Sequence, residues 1–323
     1  VDPVRVGFVG VGSIARAHMK NLSSFSDVQL VAVTDVDATR ASEVAAQYGA
    51  TVYPNVGEML SEAKLDAVYL CIPPFAHGEP ERLCVQHRVP FYVEKPLGLD
   101  PDLPEAIAKE VEEAGLITAV GFQLRYVDTI EKLRQALAGK RLGMVSGHYF
   151  CPLVPTPWWR RRELSGGQLV EQVIHIVDLI RYVSGDEFAS LYCQEALRIH
   201  DDVPELDIPD VTVTSYRLKG GAIGALEQSF ALPSGWRAGV DVIADGIAAS
   251  WTTSELVITD GQGTRSIKPE SGDPMALADR AFIDAVASGA PDKVKSTYQD
   301  ALLTHRVVMA ATRSAREGRP VDL

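Results

Sequence analysis

Residues 4–9 (Val-Arg-Val-Gly-Phe-Val) form a short run rich in apolar and β-branched side chains, which predicts a buried strand. Directly after it, Ile14, His18, Leu22 and Phe25 recur at helical spacing and share one face. The exchange of short apolar runs for amphipathic ones continues with strand 28–33, helices 37–48 and 56–63, strand 67–72, helix 77–86, strand 90–93, helix 103–114 and strand 116–120. Such alternation predicts a doubly wound α/β domain, a parallel sheet with right-handed crossovers that closes near Phe122. Asp102 with Glu105 predicts a capping box at the head of helix 103–114, and Gly115 its stop.

Beyond residue 122 the pattern changes. Asp128 with Glu131 predicts a second capping box, on a helix that Gly139 ends. Strands follow at 144–150, 191–197, 211–218, 222–230, 238–243, 248–251 and 256–259, with hairpin-like turns such as Lys219-Gly220-Gly221, and helices at 277–287 and 301–316 finish the chain. The expectation is an α+β domain over residues 123–323 on one large, mostly antiparallel, open sheet, following a Rossmann domain over 1–122. A length of 323 residues, long for one core, agrees with two domains. On the helix after Gly166-Gly167, Gln168, Glu171, His175 and Asp178 share one face, and Leu169, Val173, Ile176, Ile180 and Val183 the opposite one. The plain reading is a polar stripe that meets water.

A net charge of −12 argues against duplex nucleic acid and anionic membrane surfaces, which need a basic patch. No apolar run approaches spanning length, and the first residues enter a strand pattern without a leader, so a soluble cytoplasmic protein is expected. Cys71, Cys84, Cys151 and Cys193 lack CxxC or CxH spacing, which predicts buried reduced thiols. Glu171 and His175, four apart, could hold a metal, but no third ligand is visible and none is expected.

Gly10-Val11-Gly12-Ser13-Ile14-Ala15 stands at a strand-to-helix junction, where backbone N–H groups and the helix dipole converge on a place for a pyrophosphate. Gly10 permits the turn, Gly12 lets phosphates approach, and Ala15 keeps the helix close to the strand. Asp35 ends the second strand, where a carboxylate accepts from ribose hydroxyls and repels a 2′-phosphate, favouring NAD over NADP. Arg40 is the one nearby residue that speaks for NADP, and its place on helix 37–48 suggests a solvated side chain. Glu94 and Lys95 close an apolar strand at its carboxyl edge, where open α/β sheets bind ligands. A partly desolvated lysine beside a positively charged nicotinamide has its ammonium disfavoured, which suits proton traffic.

Val93-Glu94-Lys95-Pro96-Leu97-Gly98 after the glycine turn, and Gly166-Gly167 followed by Glu171 and His175, resemble the Gfo/Idh/MocA oxidoreductases, and the resemblance runs nearly the whole chain. It implies a nicotinamide cofactor on the first domain and a sugar, cyclitol or related polyol on the second. It also implies a homo-dimer or homo-tetramer that pairs the open sheet faces, with strand 238–243 a candidate contact. By the same resemblance His175 is the main acid/base, Glu171 its orienting or substrate-binding partner, and Lys95 the contact to the reacting hydroxyl or carbonyl. Glu94 reaches the cofactor ribose and Pro96 is often cis. Ile72, Pro73 and His77 lie along the adenosine toward the nicotinamide; Ser13, Ile14, Gln123 and Arg160 complete the cofactor set. Tyr126, Trp158 and Trp159 face substrate, and Asp178 is as well explained as structural. Arg161 and Arg162 either grip an anionic substrate or form a solvated loop.

Glu171 stands where many members have aspartate, Val173 where they have glycine, and Gln172 where an apolar residue is usual, so the hydroxyl that the acid reaches is left open. Two other functions stay in view: transient oxidation by tightly held NAD with elimination of a glycosidic group, and a regulator that senses NAD and sugar without chemistry. Retention of both Lys95 and His175 counts against the regulator.

Overall fold

The computed structural model describes residues 2–323 and separates into two compact units: residues up to Gln123 with Asp273–Leu302, and Leu124–Gly272 with Leu303–Leu323. The first unit runs β1 (Val4–Val9), α1 (Ser13–Leu22), β2 (Val28–Thr34), α2 (Ala38–Tyr48), β3 (Thr51–Val52), α3 (Val56–Glu62), β4 (Ala67–Leu70), α4 (Glu79–His87), β5 (Phe91–Val93), α5 (Leu103–Ala114) and β6 (Thr118–Val120). Its six strands are parallel in the order β3-β2-β1-β4-β5-β6, so the strand order reverses between β1 and β4 and opens a crevice at their carboxyl ends. The central strands are buried on both faces, which is why they read as continuous apolar runs. β4 stops at Leu70, short of the expected Ile72, because Pro73 and Pro74 lack the N–H a ladder needs.

Two predicted capping boxes do not form. Asp102 makes no capping bond; Asp100 Oδ1 instead accepts from the N–H groups of Asp102 (2.8 Å) and Leu103 (3.3 Å), and Pro104 leaves no donor at the next position. In the second unit the helix begins at Asp128 itself, whose carboxylate accepts from Lys132 Nζ at 2.6 Å and Glu270 N at 3.0 Å.

The second unit contains α6 (Asp128–Leu137), β7 (Leu142–Phe150), α7 (Arg162–Ser165), α8 (Ile174–Ser184), β8 (Phe188–Ala196), β9 (Val211–Leu218), β10 (Ile223–Ser229), β11 (Arg237–Ala244), β12 (Ile247–Thr252), β13 (Leu256–Asp260) and β14 (Gly263–Ile267). The chain then forms α9 (Pro274–Ser288) and α10 (Tyr298–Glu317), and β15 (Val321–Asp322) completes a nine-stranded sheet in the order β14-β13-β12-β11-β7-β10-β9-β8-β15. Every pairing is antiparallel except β7 with β10. One face carries α6 and α8. On the other, Ile243, Met144 and Ile223 lie in register across β11, β7 and β10, all exposed.

The reading of 123–323 as one unbroken domain is corrected by α9, which packs in the first unit. Phe282 sets its ring edge-on to Tyr69 and Tyr92, Asp279 bonds His18, and Arg280 pairs with Asp27. β14 escaped the sequence because its Gly-Thr-Arg-Ser-Ile run is a polar edge strand without apolar alternation. No helix among the described residues is long and apolar enough to cross a membrane, and all four cysteines are buried and unpaired.

Candidate active site

In the first unit, β1 ends at Val9 and Gly10 turns the chain at φ +79, where a Cβ would lie 2.4 Å from the Cys71 carbonyl oxygen, so only glycine fits. Gly12 caps α1 without any side-chain bond, and a Cβ built on it meets nothing within 4 Å. Open space thus lies beside Gly12 at the head of α1, with Ser13 exposed, Ile14 half-buried and Ala15 fully buried. That cradle fits a dinucleotide pyrophosphate.

Asp35 is nearly buried at the end of β2. It accepts from Val11 N and Asp37 N, both at 2.8 Å, and from Arg40 through Nη2 at 2.6 Å and Nε at 3.2 Å. Burial opposes its charge, but Arg40 and the two N–H groups outweigh that and hold the carboxyl below its usual range. Arg40, expected to be only a solvated side chain, is Asp35's partner while remaining partly exposed.

Past β4, Ile72 and Pro73 are half-buried and His77 is buried, Nδ1 lying 2.5 Å from Glu81 Oε1, while Glu81 Oε2 accepts from Gly78 N at 2.7 Å. Lys95 follows β5 half-buried and its bond to Pro96 is cis. Glu94, expected at the cofactor ribose, is engaged within the protein. Its carboxylate is buried, with Oε1 3.1 Å from Nε2 of His18, whose Nδ1 lies 2.6 Å from Asp279 Oδ1. Burial alone would lower the His18 pKa, but the two carboxylates push it up to about 9. The imidazolium thus donates to both and ties α1, the end of β5 and α9 together. Its sequence signal was a histidine on an otherwise apolar face. Gln123 ends this unit half-buried.

In the second unit a wide π-type turn, Leu169–Val173, leads into α8, so Glu171 sits on the turn and His175 on the first residues of the regular helix. Gly147 on β7 lets α8 lie close, since a Cβ there would stand 2.3 Å from Ile176 Cγ2. The polar stripe is not a solvated face. Gln168 is buried, donating to Cys151 Sγ (3.3 Å) and to the Ser229 carbonyl (3.2 Å), and the Cys151 thiol donates to Gln172 Oε1 at 3.2 Å. Asp178 is buried too, paired bidentately with Arg125 at 2.6 and 2.7 Å and bonded by Thr304 Oγ1, so it is structural. Glu171 and His175 are half-buried, as is Tyr126.

Trp159 was expected to face substrate. It is 2% exposed and packs edge-on against Phe230 at 5.1 Å, inside a cluster with Cys151, Leu206 and Ile208. Trp158 is the half-buried ring of the pair. Arg161 pairs with Glu163 and Asp207, and Arg162 with Glu195. Arg160, half-buried, has no carboxylate partner among the described residues. Sequence reasoning also missed Tyr149, which meets Trp236 edge-on at 5.7 Å at the end of β7. Burial, with Cys151 and Glu171 adding to it against an opposing bond from Trp236, pushes its phenol up to about 12, so it remains a neutral hydroxyl.

Residues 4–122 match the oxidoreductase family with an NAD-binding Rossmann fold, and residues 130–249 match the GFO/IDH/MocA C-terminal domain; the chain belongs to this oxidoreductase family. Myo-inositol 2-dehydrogenase of Thermotoga maritima is 26% identical over 334 residues, covering 99% of this chain and 98% of its own. The scyllo-inositol 2-dehydrogenase (NAD(+)) of Bacillus subtilis is 27% identical, covering 99% and 96%. Among solved structures, a probable dehydrogenase from Thermotoga maritima superposes with a TM-score of 0.85 at 25% identity, over 99% of this chain and 98% of that one.

Proposed function

We propose that the chain oxidises a secondary alcohol of a cyclitol or closely related polyol, with NAD held by the first unit and substrate by the second. It is an oxidoreductase acting on CH–OH groups of a sugar, cyclitol or related polyol. The observation that carries the reading is the first unit's carboxyl edge, where the open α1 terminus at Gly12, Asp35 and Lys95 belong to one parallel sheet. Gly10, Gly12, Ser13 and Asp35 would hold the dinucleotide, with Ile72, Pro73, His77, Gln123 and Arg160 beside it. When bound, its nicotinamide supplies a two-electron hydride acceptor. His175 takes the hydroxyl proton on its imidazole, and the Lys95 ammonium stabilises the alkoxide oxygen as charge develops. Glu171 accepts a hydrogen bond from a further hydroxyl, and Tyr126, Tyr149 and Trp158 line the polyol. The inositol dehydrogenases matched over full length support a cyclitol.

A panel of inositols, other polyols and sugars, read as net NADH absorbance, tests this, with aryl glycosides run in parallel. Net NADH from a cyclitol is expected. Aryl release without net NADH would replace the reading with oxidation and elimination, and binding without either product would leave a sensor.

The assembly is proposed to be a cytoplasmic homo-dimer or homo-tetramer joined through the open sheet face. The row Ile243, Met144 and Ile223 is apolar, in register and exposed, which is costly on a monomer. Ile243→Lys should release monomers in light scattering where the unaltered chain gives an oligomer; a monomeric unaltered chain at micromolar concentration would contradict this.

A further inference from the structure

The carboxylate of Asp35 is already saturated. Oδ2 accepts from Val11 N and Arg40 Nε, and Oδ1 from Asp37 N and Arg40 Nη2, two bonds to each oxygen. Two of the four donors are backbone groups fixed by the glycine turn and by the entry to α2. Arg40 supplies the other two, and it is itself held at its base, because Asp37 caps α2 by accepting from Arg40 N at 3.0 Å. Its guanidinium lies over the acid with 39% of the side chain exposed, while Asp35's is only 4% exposed. Asp37 Oδ2, 3.7 Å from Arg40 Nη1, adds a weaker second attraction.

This arrangement alters what Asp35 can do. A bare carboxylate at a strand end accepts from both ribose hydroxyls and repels a 2′-phosphate. Here the ribose hydroxyls find their acceptors occupied and must displace Arg40 to reach them. A 2′-phosphate entering the same place meets a guanidinium that already neutralises the acid and has donors to spare for a bidentate bond. We propose that Arg40 makes this pocket accept both NAD and NADP: with NAD the guanidinium yields Asp35 to the ribose, and with NADP it stays on Asp35 and gives its spare Nη donors to the 2′-phosphate. The proposal rests on the assignment of the Gly10 to Ala15 turn as the dinucleotide site, and it narrows the NAD preference that Asp35 alone implies.

Calorimetry of the full chain with NAD and with NADP, for the unaltered protein, Arg40→Ala and Arg40→Gln, tests it. The unaltered chain should bind the two cofactors with dissociation constants within about tenfold of each other, NAD the tighter, since an exposed ion pair is worth about 1 kcal/mol or less. Both substitutions should weaken NADP by roughly 10- to 100-fold, the loss of a charged hydrogen bond, and should tighten NAD by up to about fivefold. Circular dichroism of both variants should match that of the unaltered chain, as expected for a half-exposed helix position. A preference for NAD above about 100-fold in the unaltered chain, or an equal shift for both cofactors on substitution, would overturn the proposal while leaving the dinucleotide site intact. Binding of neither cofactor to the folded unaltered chain would remove that site and the proposal together.

Discussion

His175→Ala should retain cofactor binding and lose roughly 10²–10⁴-fold in turnover on whichever polyol proves to be the substrate, the usual effect of removing a positioned acid/base. Lys95→Met should behave alike under the proposed mechanism, in which the imidazole removes the hydroxyl proton and the ammonium steadies the charge left behind. NAD titration by fluorescence separates the two effects, since neither change should shift the dissociation constant more than a few-fold. Glu171→Asp should be milder and should redistribute activity among the panel, because it shortens the reach of the acid by one carbon while keeping its charge. A folded His175→Ala protein with undiminished turnover would show that the half-buried histidine has no part in the chemistry.

A comparable effect on stability is expected at His18. The imidazolium stands between Asp279 and Glu94 with no solvent access, and His18→Ala would leave two buried carboxylates facing each other. Breaking a buried charged network in this way costs roughly 3–5 kcal/mol. The same geometry makes stability depend on pH. The folded pKa of His18, about 9, lies above its ordinary value of 6.5, so its contribution is complete below about pH 6.5, declines above that, and is lost as pH rises through 9. Urea denaturation between pH 6 and 10 should show stability falling by roughly 3 kcal/mol from this group, with the slope absent in His18→Ala. An unaltered slope in the variant would assign the pH dependence elsewhere.

The legible parts of this molecule are those that local periodicity controls. α5 begins and ends where its apolar spacing and Gly115 predict, and β9 occupies the whole of its alternating run. The glycine turn and the strand ends that carry Asp35 and Glu94-Lys95 are readable as local structure, because they depend on neighbours in sequence. What escaped depends on distant partners. Asp128 reads as a cap until Glu270 claims its carboxylate, and Trp159 reads as a sugar platform until Phe230 covers it. Arg40 lies five residues from Asp35, yet a helical wheel turns it to water; only the bend of the chain at Asp37 brings the two together. The π-type turn at Leu169–Val173 changes which residues of the polar stripe share a face, and nothing in the amphipathic pattern announces it.

The return of α9 to the first unit bears on the order in which the protein can be completed during synthesis. The sheet β3-β2-β1-β4-β5-β6 is fully translated by Val120, but Tyr69, Tyr92 and His18 receive Phe282 and Asp279 only after residues 124–272 have left the ribosome. Until then the nascent first unit carries an uncovered aromatic patch and a histidine short of one carboxylate, a partly folded state prone to association. A fragment cut after Gln123, the natural choice for isolating the nucleotide-binding half, would be arrested in that state; a circularly permuted chain that begins at Asp273 and runs through Leu323 into β1 would supply the missing helix first.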